Sequence, residues 1–455
     1  MPRLPVATKQ LVGDAPSTSL TALLILPWLW VSSVTVRREI PLLVAALVAG
    51  LASSGCSRSE AQEAPSPTRK PTVESEEVER LRSLPYLSGV LASRHDTTGV
   101  VRRDPARSCP GYNLYETQPL SRADLIDERG TVLKSWSHAP SDRWERADLL
   151  PDGDLIVIGV DPYVWTDGGP PHRIADSARY VMRLTWQGQV RWKKSLCAHH
   201  DIEQTPDGRL LLLTFEKRIV PEIHVSIPTR DDHLTLLDTD GNVVESHSML
   251  EAIRRASALF SLHDMQPFTI GGKPFIDLLH SNSVEWMRRK ELVGRNPIYD
   301  LGNILVCFRH QNRIAVFNWK RNKVIWSWGD GELSGPHDAQ VLENGHILLF
   351  DNGLGRDASR VLEIDPPSGR IVWQYSASPP KAFFTESKGS AQRLPNGNTL
   401  IAESDKGRAF EVTPDGKVVW EYVSPHRFGT GMRAALVRMR RIPSALIDPL
   451  LREGR

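Results

Sequence analysis

The sequence has few cysteines and almost no net charge. Four cysteines occur in 455 residues, and none lies in a Cys-x-x-Cys pair, so the spacing typical of a cysteine zinc site is absent from the sequence. Beyond Cys56 only Cys109, Cys197 and Cys307 remain; they cannot all pair, and the pattern does not select partners. The net charge of +2 gives no reason to expect a nucleic-acid partner. No long amphipathic helical pattern occurs between Gly111 and Tyr422.

Residues 1–56 predict export. An apolar run over 19–36 contains Pro27, and Arg37-Arg38 then precedes a second apolar run over 40–52 that ends in small residues before Cys56. A basic pair, a short apolar core and a small-residue exit are typical of an export signal. Lipidation of Cys56 and plain cleavage both fit, and a transmembrane anchor is the alternative for the first run. In each case we expect the remainder outside the cytoplasm, periplasmic or held at the membrane by a lipid or the N-terminal anchor.

The rest of the chain divides by composition. Residues 57–77 are rich in Ser, Pro, Glu and Thr and predict a disordered tether, and 78–110 form a short lead-in. Residues 111–426 form the main domain. In the basic tail, 427–455, arginines alternate with apolar residues, which predicts a helix packed on the outside of the domain, or a membrane-surface helix. These arginines are Arg433, Arg438, Arg440 and Arg441.

Two phrases recur within the main domain. A strand-turn-strand phrase, often ending in Trp, occurs six times; a hairpin phrase around Pro-Asp-Gly or Asn-Gly alternates with it. The turn glycines 130, 188 and 241 are 58 and 53 residues apart, and 369 and 416 are 47 apart. Repeats of this size with four short strands are typical of propeller blades. The sequence therefore predicts an all-β, six-bladed β-propeller, closed by residues 111–116 joining the last blade.

The hairpin at residues 335–356 suggests where a site lies. A two-residue turn at Asn344-Gly345 would pair His337 with Asn352. When the hairpin copies are aligned on their turn glycines, His200, Glu145 and Gly389 occupy the position of His337. The first strand of each blade lines the central channel, so these positions converge on one mouth.

We place further candidates at that mouth. His280 is the equivalent in a diverged blade, and Arg309, Asn352 and Phe215 end the partner strands. Imidazoles beside a guanidinium form an anion site with possible nucleophilic chemistry. His199 is out of register and is expected to turn away. Four repeat-equivalent tryptophans are interpreted as spacers between blades: Trp192, Trp326, Trp373 and Trp420.

The residues at this mouth resemble those of the bacterial arylsulfate sulfotransferases. The phrases that carry the resemblance are HHDIEQTPDG, LLHSNSVEW, CFRHQNRIAVFNW and GPHDAQVLENGHILLFDNGLGR, in this order. The resemblance implies ping-pong sulfuryl transfer from an aryl sulfate to a phenol, without a nucleotide donor, metal or other cofactor. It implies that His337 becomes sulfated, that His200, His280 and Arg309 surround the sulfuryl oxygens, and that Asn282 is an accompanying polar ligand.

The chemistry of these residue types agrees with that role. Neutral His337 is a usable nucleophile, and Arg309 can bind two sulfuryl oxygens with its fork of donors. A protonated His200 or His280 is expected to stabilise or protonate the leaving phenolate. Two alternatives stay open: a non-catalytic propeller lipoprotein acting as a scaffold or small-anion receptor, and a three-histidine zinc site. The pattern contains no indication of an oligomeric state.

Overall fold

The computed structural model describes residues 89–91, 96–162, 176–270, 273–429 and 431–453. The predicted export signal, Cys56 and the tether over 57–77 lie outside these residues. The described chain is almost entirely β-structure, and its α-helices are Met249–Arg254 and Ser444–Glu453. Neither helix is both long and apolar enough to span a membrane. The described cysteines Cys109, Cys197 and Cys307 are free thiols.

Six antiparallel blades form a ring, which confirms the predicted six-bladed β-propeller. From the innermost strand outward, blade 1 consists of Leu436–Ile442, Tyr112–Thr117, Arg122–Ile126 and Val132–Ser137. Blade 2 consists of Arg143–Leu149, Leu155–Val160, Arg179–Leu184 and Val190–Ser195. Blade 3 consists of Ala198–Gln204, Leu210–Val220, His224–Leu237 and Val243–Ser248. Blade 4 consists of Ser281–Trp286, Asn303–Phe308, Arg313–Asn318 and Lys323–Trp328. Blade 5 consists of His337–Val341, Ile347–Asp351, Arg360–Asp365 and Arg370–Tyr375. Blade 6 consists of Ser390–Arg393, Thr399–Glu403, Arg408–Val412 and Val418–Val423.

Short elements connect and extend the blades. Gly99–Arg103 adds a fifth strand to the outer edge of blade 6, and Gly89–Leu91, Met432–Ala434 and Arg427–Phe428 form a separate small sheet. The 3-10 turns are Gln118–Leu120, Asp176–Ala178, Lys290–Leu292, Pro297–Tyr299, Pro380–Ala382 and Ser404–Lys406. After blade 3, an insertion contains the helix Met249–Arg254 and the strands Phe268–Ile270 and Lys273–Asp277. The last of these pairs in parallel with His224–Leu237, the third strand of blade 3, and leads into the innermost strand of blade 4.

The predicted closure of the ring was wrong. Tyr112–Thr117 pairs with the C-terminal strand Leu436–Ile442 inside blade 1, not with the last blade. The tail predicted as helical therefore supplies an innermost strand, and α-helix in its described residues is confined to Ser444–Glu453. Arg438, Arg440 and Arg441 lie in that strand, and Arg433 lies in the small sheet. The reason is physical: pairing the two ends of the domain in one sheet removes the free edge that an open blade would leave.

The predicted register of the His337 hairpin was also wrong. The Leu342 N–H donates to the His346 carbonyl at 2.7 Å, and the Gly345 N–H donates to the Leu342 carbonyl at 3.0 Å. Gly345 has a positive φ of 95°, and Asn344 does not. This is a three-residue loop with a glycine bulge, which differs from a primed two-residue turn. A further bulge after His337 then pairs it with Phe350.

The core is divided among the interfaces between blades. Six hydrophobic clusters each contain side chains of two neighbouring blades, as in packed sheets whose inner faces interdigitate. Outer-strand tryptophans add a hydrogen bond at five interfaces, where the indole N–H donates to a turn carbonyl of the next blade. The pairs are Trp136 to Trp186, Trp192 to Thr239, Trp328 to Gly369, Trp373 to Pro414 and Trp420 to Glu128. In blade 4 the donor is Trp328, and Trp326, interpreted as a spacer, packs against the hydrophobic cluster between blades 4 and 5.

Candidate active site

A cavity of about 230 Å³ lies at the mouth of the central channel. Its walls come from the starts of the innermost strands, from the insertion after blade 3 and from residues 386–390. The four candidate catalytic residues His200, His280, Arg309 and His337 all line it, together with Asn282. The ring thus brings these side chains to one place, as the repeat alignment predicted.

The innermost strands are irregular where they reach the cavity. Their ladders shift register between His199 and Ile202, between Ser281 and Ser283, and between His337 and Gln340. His200, His280 and Asp338 have positive φ values of 59°, 48° and 51°. Bulges and left-handed non-glycine residues re-aim side chains and cluster next to active sites. The irregularity therefore turns the histidines out of the sheet and towards the cavity.

Hydrogen bonds determine the tautomer of His337. Its Nδ1 lies 2.7 Å from Asn352 Oδ1 and 3.0 Å from the Gly335 carbonyl, both of which are acceptors. The Asn352 amide cannot be reversed, because its Nδ2 donates to the carbonyls of Thr385 and Lys388 at 2.9 and 2.8 Å. Nδ1 therefore carries the proton, and Nε2 keeps the lone pair. Asn352 is fully buried behind His337 and does not line the cavity, so we expect it to position His337 and not to contact substrate.

His337 is neutral at physiological pH. Burial, followed by the positive charge of Arg309, lowers the pKa of His337 to about 4. A buried neutral imidazole with a fixed tautomer is available as a nucleophile over most of the pH range.

His280 is held by a carboxylate that the sequence reading did not identify. Its Nδ1 lies 2.6 Å from Asp277 Oδ2. Burial alone would raise the pKa of Asp277, but His280 and Arg230 hold it well below its usual range, so this carboxyl is ionised. Burial nevertheless lowers the pKa of His280 to about 3, against the opposing effect of Asp277. His280 is therefore a neutral imidazole that donates its Nδ1 proton to Asp277.

His200 is also neutral. Burial and the neighbouring His280 lower its pKa well below the usual value. Its Nδ1 is 2.8 Å from His199 Nδ1. The ring centres of His200 and His280 are 4.9 Å apart. The expectation that His200 or His280 is protonated is thus wrong for the free site, because burial and mutual repulsion disfavour a charge there. His199 is fully buried and does not line the cavity.

Arg309 is fixed by its neighbour in sequence. His310 Nδ1 lies 2.6 Å from the Asp277 carbonyl, so this nitrogen donates, and His310 Nε2 accepts from Arg309 Nη1 at 3.1 Å. His310 is stacked on Phe268, with ring centres 5.6 Å apart and planes at 6°. The guanidinium is therefore pre-oriented at the wall of the cavity, as bidentate recognition of an anion requires.

Asn282 links two blades. Its Nδ2 donates to the Pro336 carbonyl at 2.8 Å, directly before His337. Its Oδ1 is buried without a hydrogen-bond partner among the described residues. Asn282 is therefore placed to help hold His337 and to accept a hydrogen bond from a bound molecule.

Arginine and aspartate side chains form ion pairs in the deeper part of the cavity. Arg146 Nε lies 3.0 Å from Asp201, and Arg438 lies 3.4 Å from both Asp201 and Asp338. These residues belong to blades 1, 2, 3 and 5, so the ion pairs tie innermost strands together across the channel. The tail residue Arg438 is thereby part of the channel wall and not of an external helix.

One group of residues in the cavity could in principle hold a metal ion. Side-chain ligand atoms of Asp277, His280 and His310 lie within 4.8 Å of one another. Two guanidinium groups reach the same atoms, since Arg230 is 3.7 Å from Asp277 Oδ2 and Arg309 is 3.1 Å from His310 Nε2. A divalent cation would be repelled by both at short range. The donor set therefore suits an anion better than the zinc of the metal alternative.

Sequence reasoning missed several residues of this site, among them Asp277, His310 and Lys388. His310 follows Arg309 directly, and Lys388 precedes Gly389, which the repeat alignment had already placed at the mouth. Both residues could have been found by including the one residue next to each position that the repeat alignment had placed at the mouth. Asp277 had no such signal, because it lies in an insertion outside the repeat.

The fold and this cavity define the class, a six-bladed β-propeller with imidazoles and a guanidinium at one mouth. The family model described as arylsulfotransferase (ASST) matches residues 148–427. The chain therefore belongs to the arylsulfotransferase family, as the resemblance had indicated, and this membership implies a transferase.

Solved structures with similar folds are distant. A protein of unknown function from Bacteroides caccae has a TM-score of 0.47 and 13% identity, covering 73% of this chain and 98% of that one. A streptogramin B lyase has a TM-score of 0.41 and 11% identity, covering 78% and 98%. The WD40 propeller domain of Doa1 has a TM-score of 0.40 and 12% identity, covering 79% and 98%. No protein of curated function matches the chain in sequence.

Proposed function

We propose that this protein transfers a sulfuryl group from an aryl sulfate to a phenol by a ping-pong mechanism through an N-sulfo form of His337, with neither a nucleotide donor nor a metal. The observation that carries the proposal is the state of His337. It is neutral, its Nδ1 proton is directed to Asn352, and its free Nε2 belongs to a cavity that Arg309 also lines. Family membership supports the reaction class.

In the first step the sulfate group of the donor binds to Arg309. Nε2 of His337 then attacks sulfur as the bond between sulfur and the aryl oxygen breaks. The Nδ1 proton stays on the ring and is stabilised by Asn352 as positive charge develops. In the second step the oxygen of the acceptor phenol attacks the sulfur as the phenol gives up its proton, and the Nε2–S bond breaks to return His337 to a neutral imidazole.

Aromatic side chains support an aryl substrate. Phe268 is stacked on His310, its ring centre lies 6.5 Å from that of Phe275, and all three residues line the cavity. Such a wall suits the face or edge of a second aromatic ring. The cavity volume of about 230 Å³ is close to the lower end of small-molecule sites, which suits a single-ring ester.

The test uses 4-nitrophenyl sulfate as donor and phenol as acceptor. We expect nitrophenolate release in wild-type protein, none above background in His337→Ala, and an added sulfuryl mass on the peptide that contains His337 when the acceptor is omitted. His346→Ala is the matched control, because His346 lies in the same hairpin and contacts Glu363 away from the cavity. Release that persists in His337→Ala would refute the mechanism. Binding of the ester without release or adduct would favour the anion-receptor alternative.

We also propose that the protein acts outside the cytoplasm. The support is the basic and apolar pattern of residues 37–56, which ends at Cys56. Cell fractionation of wild type and Cys56→Ser tests this. Membrane association that is lost in Cys56→Ser would indicate a lipid anchor, and a cytoplasmic wild-type protein would refute export.

A further inference from the structure

The proposed transfer lacks an evident source for one proton. A leaving phenolate is a strong base, since a phenol titrates near pH 10, and its departure is easier when a proton reaches the oxygen. In the second step a proton must be removed from the hydroxyl group of the acceptor phenol. A group in the cavity that releases and recovers a proton would serve both steps.

The hydrogen bonds leave no imidazole of the cavity able to donate. The single N–H group of His337 is directed to the Asn352 side chain and the Gly335 carbonyl. The N–H group of His280 is directed to the Asp277 carboxylate, and that of His310 to the Asp277 backbone carbonyl. His199 Nε2 faces the Thr214 carbonyl at 3.4 Å and Asp232 at 3.6 Å, so its Nδ1 is an acceptor and His200 donates to it. The Nε2 atoms of all four cavity imidazoles therefore lack a proton.

The cationic side chains of the cavity are not equivalent as proton donors. Arg146, Arg309 and Arg438 are arginines, which remain charged in proteins. Lys388 also lines the cavity, and its side chain is 14% exposed. A lysine can exchange a proton when its environment weakens the charged form.

The structure places Lys388 next to the nucleophile. Its carbonyl accepts the Asn352 N–H at 2.8 Å, so the same amide that orients His337 is bonded to the Lys388 backbone. The Lys388 ammonium lies 3.1 Å from Ser387 Oγ and 3.9 Å from Asp405. Ser387 is in turn held by Asp405 through its N–H and its hydroxyl. Lys388 thus has a fixed position at the mouth of the cavity, on the side of blade 6.

We propose that Lys388 is the general acid and base of the sulfuryl transfer, giving its proton to the departing aryl oxygen and then recovering a proton from the acceptor phenol. This inference rests on the proposed function. In the first step the S–O(aryl) bond breaks with its electron pair on oxygen, the Nε2–S bond forms, and an N–H proton of Lys388 moves to that oxygen. In the second step the neutral amine takes the phenol proton as the new O–S bond forms and the Nε2–S bond breaks.

The surroundings of Lys388 agree with this role. Burial lowers its pKa, and Arg143 and Arg309 act in the same direction, whereas Asp405 and Glu145 oppose them. His337, which is neutral, also lies within electrostatic range. The lowered pKa makes the Lys388 ammonium a stronger acid than an ordinary lysine, which favours transfer of its proton to a basic phenolate.

The test compares donors whose leaving groups differ in basicity. In Lys388→Met we expect transfer from phenyl sulfate to fall about 10²–10⁴-fold, and transfer from 4-nitrophenyl sulfate, whose leaving group is a weak base, to fall less than about tenfold. Lys388→Arg keeps the charge but cannot release the proton, so it should show the same selective loss. Lys381→Met is the matched control, because Lys381 is a 72% exposed lysine in the preceding turn, and it should change neither rate.

Three outcomes would overturn the inference. Equal losses for both donors, or recovery of phenyl sulfate transfer in Lys388→Arg, would show that Lys388 acts only as a fixed charge; unchanged rates in Lys388→Met would show that it has no role. Melting temperatures establish that the variants are folded. Failure of the proposed function itself is distinguishable, because it would appear as no transfer in the wild-type protein or as release that persists in His337→Ala.

Discussion

The outer and inner edges of the propeller use the same repeat in opposite ways. At the outer edge, five tryptophans make the same hydrogen bond to the turn of the next blade, and the bond from Trp420 to Glu128 closes the ring between blades 6 and 1. At the inner edge, equivalent positions hold different residues. These are Glu145, His200, His280, His337 and Gly389.

The difference reflects what each edge contacts. Five of the six outer strands meet the neighbouring blade in a similar geometry, so one residue type satisfies these five interfaces. The inner edges all meet a single cavity, so varied side chains there build a site while the packing between blades is unchanged. Substitutions at the inner edge should therefore affect activity, and substitutions at the outer edge should affect stability.

Among the substitutions that test this comparison, Arg309→Met should have the largest effect on activity. Loss of the guanidinium should reduce kcat/KM for 4-nitrophenyl sulfate by about 10²–10³-fold, the usual cost of removing one donor to developing negative charge. Arg309→Lys should fall in between, because it keeps the charge without the fork. Arg321→Met, at an exposed turn of the same blade, is the control. A loss in Arg309→Met no larger than in Arg321→Met would contradict a role for Arg309 in the cavity.

The pH dependence tests the neutral inner edge. Since the pKa of His337 is lowered to about 4, kcat/KM for 4-nitrophenyl sulfate should stay level on acidification to near pH 4 and then fall about tenfold per pH unit as Nε2 is protonated. Removing the positive charge in Arg309→Met should move this limb to higher pH. A limb near the ordinary value of 6.5 in the wild type would show that the buried state described for His337 is incorrect.

Trp420→Phe gives the smallest effect on activity. It leaves the partly buried Glu128 carbonyl without its indole donor and should lower the free energy of unfolding by about 1–3 kcal/mol, measured by urea denaturation. Trp192→Phe removes the same kind of bond at a less buried position and should cost less. The kcat per folded molecule should be unchanged in both. A fall in kcat without a loss of stability would erase the distinction between the two edges.

Predictions for the fold succeeded where they depended on periodicity. Turn glycines at regular spacing identified the blades, and their alignment placed His200 and His337 at equivalent positions far apart in the chain. The closure of the ring failed, because the partner of Tyr112–Thr117 is a strand beyond the last repeat that has no repeat signal of its own.

The chain by itself determined the number of blades and the imidazoles at the inner edge, because a repeat forces equivalent residues into equivalent places. Only the tertiary structure decided which nitrogen of each imidazole holds a proton. That depends on acceptors such as Asn352 and Asp277, which bulges and an insertion bring to the histidines. It also decided that these histidines are uncharged, because the cost of charging them depends on burial and on guanidinium groups from other blades.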